Sequence, residues 1–218
     1  MSDVWSERAE AYRTSSTHAT DADLDIVVSL CEPREGMTAL DVATGGGHVA
    51  RRLRAAGAEV VTCDPAPGMK ADVICFAEDI PFADGSFDAV VTRIAPHHFA
   101  DIERAVHELA RVSKRFVVIE DTLYSSPDVE AAEKLRDPTH VRNLSEPEWR
   151  SLLDAAGLVV DHVEHFAKTH PLDDWLARTD CTGAEAERVR ELLAEVTDED
   201  GLAWHDTKII LRGVKDAS

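Results

Sequence analysis

The stretch Thr38-Ala-Leu-Asp-Val-Ala-Thr-Gly-Gly-Gly-His-Val-Ala50 constrains this chain more than any other. The apolar run Ala39-Leu40-Asp41-Val42-Ala43 reads as a buried parallel strand, and three glycines follow it. Val49, Ala50, Leu53 and Ala56 then recur at helical spacing, with Arg51, Arg52 and Arg54 on the opposite face. Strand, glycine turn and helix form the first unit of a doubly wound α/β sheet. Glycines in such a turn permit positive φ and let backbone N–H groups come close to a ligand. The same turn can also occur with no ligand at all.

The rest of the chain continues the alternation. Asp21 or Thr20 can cap a helix carrying Leu24, Ile26, Val27, Val28 and Leu30, which ends near Pro33. Glu59–Cys63, Ala71–Phe76, Phe87–Thr92 and Arg115–Asp121 read as further strands. Asp101 starts a helix with Ile102, Ala105, Val106, Leu109 and Val112 on one face. Ser145 with Glu148 is a capping-box pattern. Leu158–Phe166 and Thr207–Val214 are apolar enough for two last strands. Trp5 and Tyr12, in a polar N-terminal stretch, are expected on a short helix that covers a surface such as a pocket mouth. No internal repeat or linker interrupts the chain, so residues 1–218 read as one domain with helical insertions at about 122–145 and 171–196.

Composition narrows the partners. A formal net charge of −19 and a pI near 4.8 repel phosphate backbones and anionic membranes. Neither nucleic acid nor membrane is therefore an expected partner. The four cysteines are scattered, with no CxxC pair and no Cys/His cluster of the zinc type, so no metal is expected. His97 and His98 are adjacent, and neighbours on an ordered element point apart, which disfavours a metal pair. The N-terminus is polar and acidic, and no apolar run approaches about 18 residues. These features lead us to expect a soluble, reduced, cytoplasmic protein.

Four stretches together resemble the class I S-adenosylmethionine-dependent methyltransferases, most closely the ubiquinone/menaquinone-biosynthesis type that acts on small molecules. They are Leu40-Asp-Val-Ala-Thr-Gly-Gly-Gly47, Val60-Val-Thr-Cys-Asp64, Ala77-Glu-Asp-Ile-Pro-Phe-Ala-Asp-Gly-Ser-Phe-Asp88, and His97-His-Phe99 before a helix. The resemblance implies a Rossmann-like, seven-stranded, mostly parallel sheet with an antiparallel last strand. It implies S-adenosylmethionine as cofactor and a small-molecule methyl acceptor, with a homodimer left open. Carried over by position, Asp41, Ala43, Gly45 and Gly47 border the methionine part, Asp64 holds the ribose hydroxyls, Ala77 and Glu78 flank the adenine, and Arg93 contributes backbone near the methionine end.

The chain departs from that pattern in three places. Ala43 stands at the family's first glycine, which reads as a mild change. Phe76 replaces an adenine-binding Asp and could stack on the purine or belong to the core. Between Asp64 and Ala77 the family places a helix, which Pro65-Ala-Pro-Gly68 cannot form. A loop without a full helix is therefore expected over 65–71, with the adenine side of the pocket more open.

Methyl transfer from a sulfonium needs positioning and exclusion of water, and a base only where the acceptor loses a proton. His98, His97 and His140 are the candidate bases, and structural roles for them remain open. Glu120 and Asp121 could touch the acceptor or cap a turn, and Trp175 and Trp204 read as packing residues. Two other readings stay open here. One is a protein of this fold that has lost methyl transfer and serves as a ligand-binding, partner or non-methylating protein. The other is a nicotinamide oxidoreductase, which the absence of Gly-x-Gly-x-x-Gly spacing disfavours.

Overall fold

The computed structural model describes residues 4–7 and 22–215. Six strands form one sheet: β1 (Thr38–Val42), β2 (Glu59–Cys63), β3 (Phe87–Arg93), β4 (Ser113–Thr122), β5 (Leu158–Pro171) and β6 (Ala203–Lys215). Their order is β2-β1-β3-β4-β6-β5. The β2/β1, β1/β3 and β3/β4 pairs are parallel, and β6 runs antiparallel to both β4 and β5.

Alternation along the strands sends side chains to two apolar layers. Leu40, Val42, Val90, Val117 and Ile119 face Ala105, Val106 and Leu109 of α3 (Ile102–Val112) and Trp149 and Leu153 of α5 (Glu146–Ala155). On the other side Ala39, Ala89, Val91, Phe116 and Val118 meet Leu24, Val27 and Val28 of α1 (Ala22–Leu30) and Val49 and Leu53 of α2 (His48–Ala55). Local signals set the helix ends. The Asp101 carboxylate accepts from Arg104 N–H at 3.0 Å, opening α3. The Ser145 N–H and hydroxyl both donate to Glu148 Oε2, at 2.8 and 2.7 Å.

A smaller core joins α4 (Pro127–Arg136), α6 (Leu172–Ala177) and α7 (Gly183–Leu192) around Val129, Trp175, Val189, Leu193 and Trp204. Trp175 and Trp204 meet edge to face at 4.7 Å, as packing residues. The residues expected to cap α1, Thr20 and Asp21, lie outside the described residues, as does Tyr12.

The seven-strand expectation is corrected to six. Ala71–Phe76 forms no strand: Val73 makes an isolated bridge to Cys63, with Asp64 N–H donating to Val73 O and Val73 N–H to Thr62 O. Between Asp64 and Val73 the chain holds only a 3₁₀ turn, Pro67–Met69. The predicted absence of a helix there is what the structure contains. A chain segment this short returns beside β2 for one residue and must then leave, because a full parallel partner needs a longer crossover. Phe76 and Ile74, stranded on this connection, are 66% and 62% exposed, so Phe76 is not core.

Candidate active site

The C-terminal ends of β1, β2 and β3 open onto a cavity of about 210 Å³. Its walls include Asp41, Ala43, Gly45, Asp64, Ala77, Glu78, Arg93 and His98, so most of the residues expected from the sequence converge there. Gly47 does not line it. Gly47 instead precedes α2 with φ +71, and so turns the chain into the helix.

The turn after β1 is held by two carboxylates. Asp41 Oδ2 accepts from the Thr44 hydroxyl at 2.6 Å and from Ala50 N–H at 3.1 Å. Burial raises Asp41 to about 6 despite those bonds. Asp64 Oδ2 accepts from Gly45 N–H at 3.0 Å, and Oδ1 from Ala66 N–H at 2.9 Å. Asp64 also lines the cavity, beside the turn that its carboxylate holds.

Two non-glycine residues at the cavity wall sit in the left-handed region: Ala43 (φ +54) after β1 and Ile94 (φ +51) after β3. Ile94 is β-branched, which makes this conformation costly. Its N–H donates to Glu120 O at 2.8 Å, fixing the bend. Ala43 is therefore not the mild change expected from its residue type. It occupies a position whose φ favours glycine, at roughly 1–2 kcal/mol. Such strain collects where a fold holds backbone against a ligand.

The N-terminal helical turn, residues 4–7, closes one side. Gly68 N–H donates to Ser6 Oγ at 2.6 Å, and a Cβ at Gly68 would lie 2.5 Å from Ser6 Cα. Only glycine allows this approach. The contact sets Trp5 against Ala66 and Met69, and edge-on to His98 at 4.5 Å. The expected aromatic cover is thus present at the pocket mouth.

The histidines separate. Among the described residues His97 and His140 do not line the cavity, whereas His98 does. His98 Nδ1 lies 3.0 Å from the Thr139 carbonyl and 3.3 Å from its hydroxyl, which itself donates to Asp137. A carbonyl only accepts, so Nδ1 carries the proton and Nε2 keeps its lone pair. Burial, reinforced by His97, holds His98 well below the ordinary imidazole range. Burial also works to lower His97, but the Asp121 carboxylate 2.5 Å from its Nδ1 overrides this and raises it. His140 pairs with Glu130 at 3.2 Å, and burial lowers it.

Behind the wall the Arg93 guanidinium pairs with Asp23 and, through Nε at 2.7 Å, with Glu120. These side chains are 5%, 2% and 0% exposed. Burial pushes Glu120 up to about 8. For Asp23 burial works upward too, but a hydrogen bond with Glu120 and the Arg93 charge bring it down to about 2. Glu120 and Asp121, considered above as acceptor contacts, are thus absorbed by buried partners and are absent from the cavity wall.

These shifts give stability a pH slope. Asp41 and Glu120 have raised folded values, so the stability they contribute is present below the unfolded values and lost as pH rises through about 6 and about 8. Asp23 is lowered, so its contribution is lost only as pH falls through about 2. Burial of His98 and His140 tilts stability the other way, so the contribution of Glu120 is read against Glu120→Gln: the wild-type melting temperature relative to that of the variant is expected to fall as pH rises from about 5 to about 8. A difference between wild type and variant that rises over this range would contradict the assignment.

The cavity fits the cofactor expected above. Gly45, at φ +51, faces open space where a Cβ would stand, its nearest neighbour being Ala43 O at 4.0 Å. The Asp41, Asp64 and Glu78 carboxyls border the cavity, while the charge of Arg93 is matched by two buried acids. That balance suits a ligand carrying sulfonium and ammonium charges.

Comparison with known proteins agrees. Residues 40–116 match the methyltransferase domain family. The uncharacterised methyltransferase YcgJ of Bacillus subtilis is 29% identical over 88% of this chain and 83% of its own length. Its crystal structure superposes with a TM-score of 0.81 at 24% identity, covering 89% of this chain and 98% of that one. A putative methyltransferase from Bacillus halodurans gives 0.79 at 26% identity, covering 90% and 100%. A demethylmenaquinone methyltransferase of Thermus thermophilus is 44% identical over 37% of this chain and 46% of its own. Among the described residues no helix is long and apolar enough to cross a membrane. The matched domain spans the glycine turn and the strands around the cavity, so the chain is similar to S-adenosylmethionine-dependent methyltransferases in the part that forms this site, and that likeness implies S-adenosylmethionine as the cofactor.

Proposed function

We propose that this enzyme methylates a small molecule that enters beside His98. The observation that carries the reading is that Trp5, Phe99 and His98 wall the same cavity as the cofactor residues, a lining suited to a small, partly apolar acceptor. The formal charge of −19 argues against nucleic acid as the acceptor. All four cysteines are free, which suits a reducing cytoplasm.

In this reading Asp64 accepts the ribose hydroxyls, Ala77 and Glu78 flank the adenine, and Asp41, Ala43 and Gly45 border the methionine part with the Arg93 backbone. Gly47 sets the turn into α2. The bound cofactor supplies an already activated methyl group, so transfer is an in-line displacement. The protein orients the acceptor and keeps water out. His98 Nε2 takes a proton where the acceptor must lose one, and the His97–Asp121 pair fixes the backbone that carries it. His140 supports the loop behind. The partial match to the demethylmenaquinone methyltransferase supports the cofactor half of this reading and leaves the acceptor to experiment.

Incubation with methyl-labelled S-adenosylmethionine and a mixture of small hydroxylated, amino and quinol acceptors, read by mass spectrometry, tests the proposal. Label in a small-molecule product is the expected result. Label found solely in added protein or nucleic acid would overturn it.

A further inference from the structure

We propose that Glu130, Glu133 and His140, with the Asn143 amide oxygen, form a binding site for one divalent first-row cation of the zinc type. The two glutamates stand three residues apart on α4, and His140 comes from the loop that follows. His140 Nε2 lies 3.2 Å from Glu130 Oε1 and 3.8 Å from Glu133 Oε2, and the ligand atoms of all three lie within 4.8 Å of one another. The scattered cysteines and paired histidines lack metal-ligating spacing, but this helix-plus-loop arrangement has it.

Asn143 supplies an independent indication. It is buried, and its amide is turned into the cluster: Nδ2 donates to Glu133 Oε2, and its backbone N–H donates to Glu130 Oε2 at 3.1 Å. Its amide oxygen, Oδ1, has no hydrogen-bond partner. A buried amide oxygen left unbonded is costly. A half-turn of the amide brings that oxygen beside Glu133 as a fourth donor.

Charge points the same way. Lys208 Nζ already bonds Asp206 at 2.7 Å and also donates to Thr122, and His97 already bonds Asp121. Glu130 has the half-exposed Lys134 at 3.3 Å. Among the described residues Glu133 has no lysine or arginine within ion-pair distance. Two carboxylates, one imidazole and an amide oxygen suit a borderline cation such as Zn²⁺, with Mn²⁺ an alternative for an oxygen-rich set. A cation there would neutralise the buried negative charge. It would also tie α4 to the 137–143 loop, whose Thr139 carbonyl holds His98 and whose Val141 N–H donates to His97 O at 2.8 Å.

The test is calorimetric titration of Zn²⁺ into chelator-treated full-length protein, with metal content and melting temperature measured alongside. We expect one equivalent to bind and the melting temperature to rise. Glu133→Gln and His140→Gln should each weaken binding by at least tenfold and remove the thermal shift, while the surface variant His165→Gln leaves both intact. Glu130→Gln, on the most exposed of the three ligands, serves if the buried variants fail to fold. Absence of binding to the wild type, or one equivalent bound unchanged by these variants, would overturn the site.

Discussion

Replacing His98 with alanine is expected to lower turnover by about 10²-fold or more where the acceptor must be deprotonated, while the dissociation constant for S-adenosylmethionine stays within about twofold. General bases contribute about 10²–10⁴-fold, and the lower end applies because a base with a depressed pKa draws a proton less strongly. The Nδ1 bond to the Thr139 carbonyl fixes the tautomer, so Nε2 is ready without prior ionisation. Burial keeps His98 unprotonated through neutral pH. The wild-type rate should therefore show no inflection near 6.5 that disappears in the variant. A packing role against Trp5 would leave a different signature: a lower melting temperature and an intact rate per folded molecule. That result would remove His98 from the chemistry.

Arg93→Leu is expected to cost about 3–5 kcal/mol, because it removes the cation beside the buried Asp23 carboxylate and the hydrogen-bond donor of the buried Glu120 carboxyl. For a chain of this size that corresponds to a melting temperature lower by roughly 10 °C. The two acids are not equally exposed to the loss. Asp23 retains Lys168 at 3.7 Å, whereas Glu120 keeps no cation among the described residues. Adding Glu120→Gln to Arg93→Leu should thus recover part of the stability. Equal melting temperatures for wild type and Arg93→Leu would show that the buried triad contributes nothing.

The parts of this molecule that were legible in the sequence are those governed by near neighbours in the chain. β1, the glycine turn and α2 are readable because apolar period, glycines and charged face all fall within one short stretch. Pro65 and Pro67 forbid a helix by their own geometry, and Ser145 with Glu148 caps α5 across one turn. The third strand was misread because Val73, Ile74 and Phe76 have strand-like side chains. Pairing there is decided by connection length, not by propensity.

The buried polar groups were hidden for another reason. Asp23, Arg93 and Glu120 meet from α1, β3 and β4, and no periodicity links such positions. A charged residue within an apolar strand, as at Glu120 and Asp121, was the one available signal that a partner lay inside. His97 and His98 are adjacent in sequence, but Asp121 and Thr139 give them opposite shifts. Ala43 shows the same limit: its residue type is bland, and only its φ reveals the strain.

The central claim is that the glycine turn with Asp64 holds the cofactor. Isothermal titration of S-adenosylmethionine into wild type and Asp64→Ala, with folding checked by circular dichroism, tests it most directly. Losing the ribose bonds to a charged acceptor costs about 2–3 kcal/mol, which is roughly a 30- to 150-fold weaker dissociation constant in the variant. An unchanged dissociation constant in folded Asp64→Ala, or no binding by the wild type, would contradict the account.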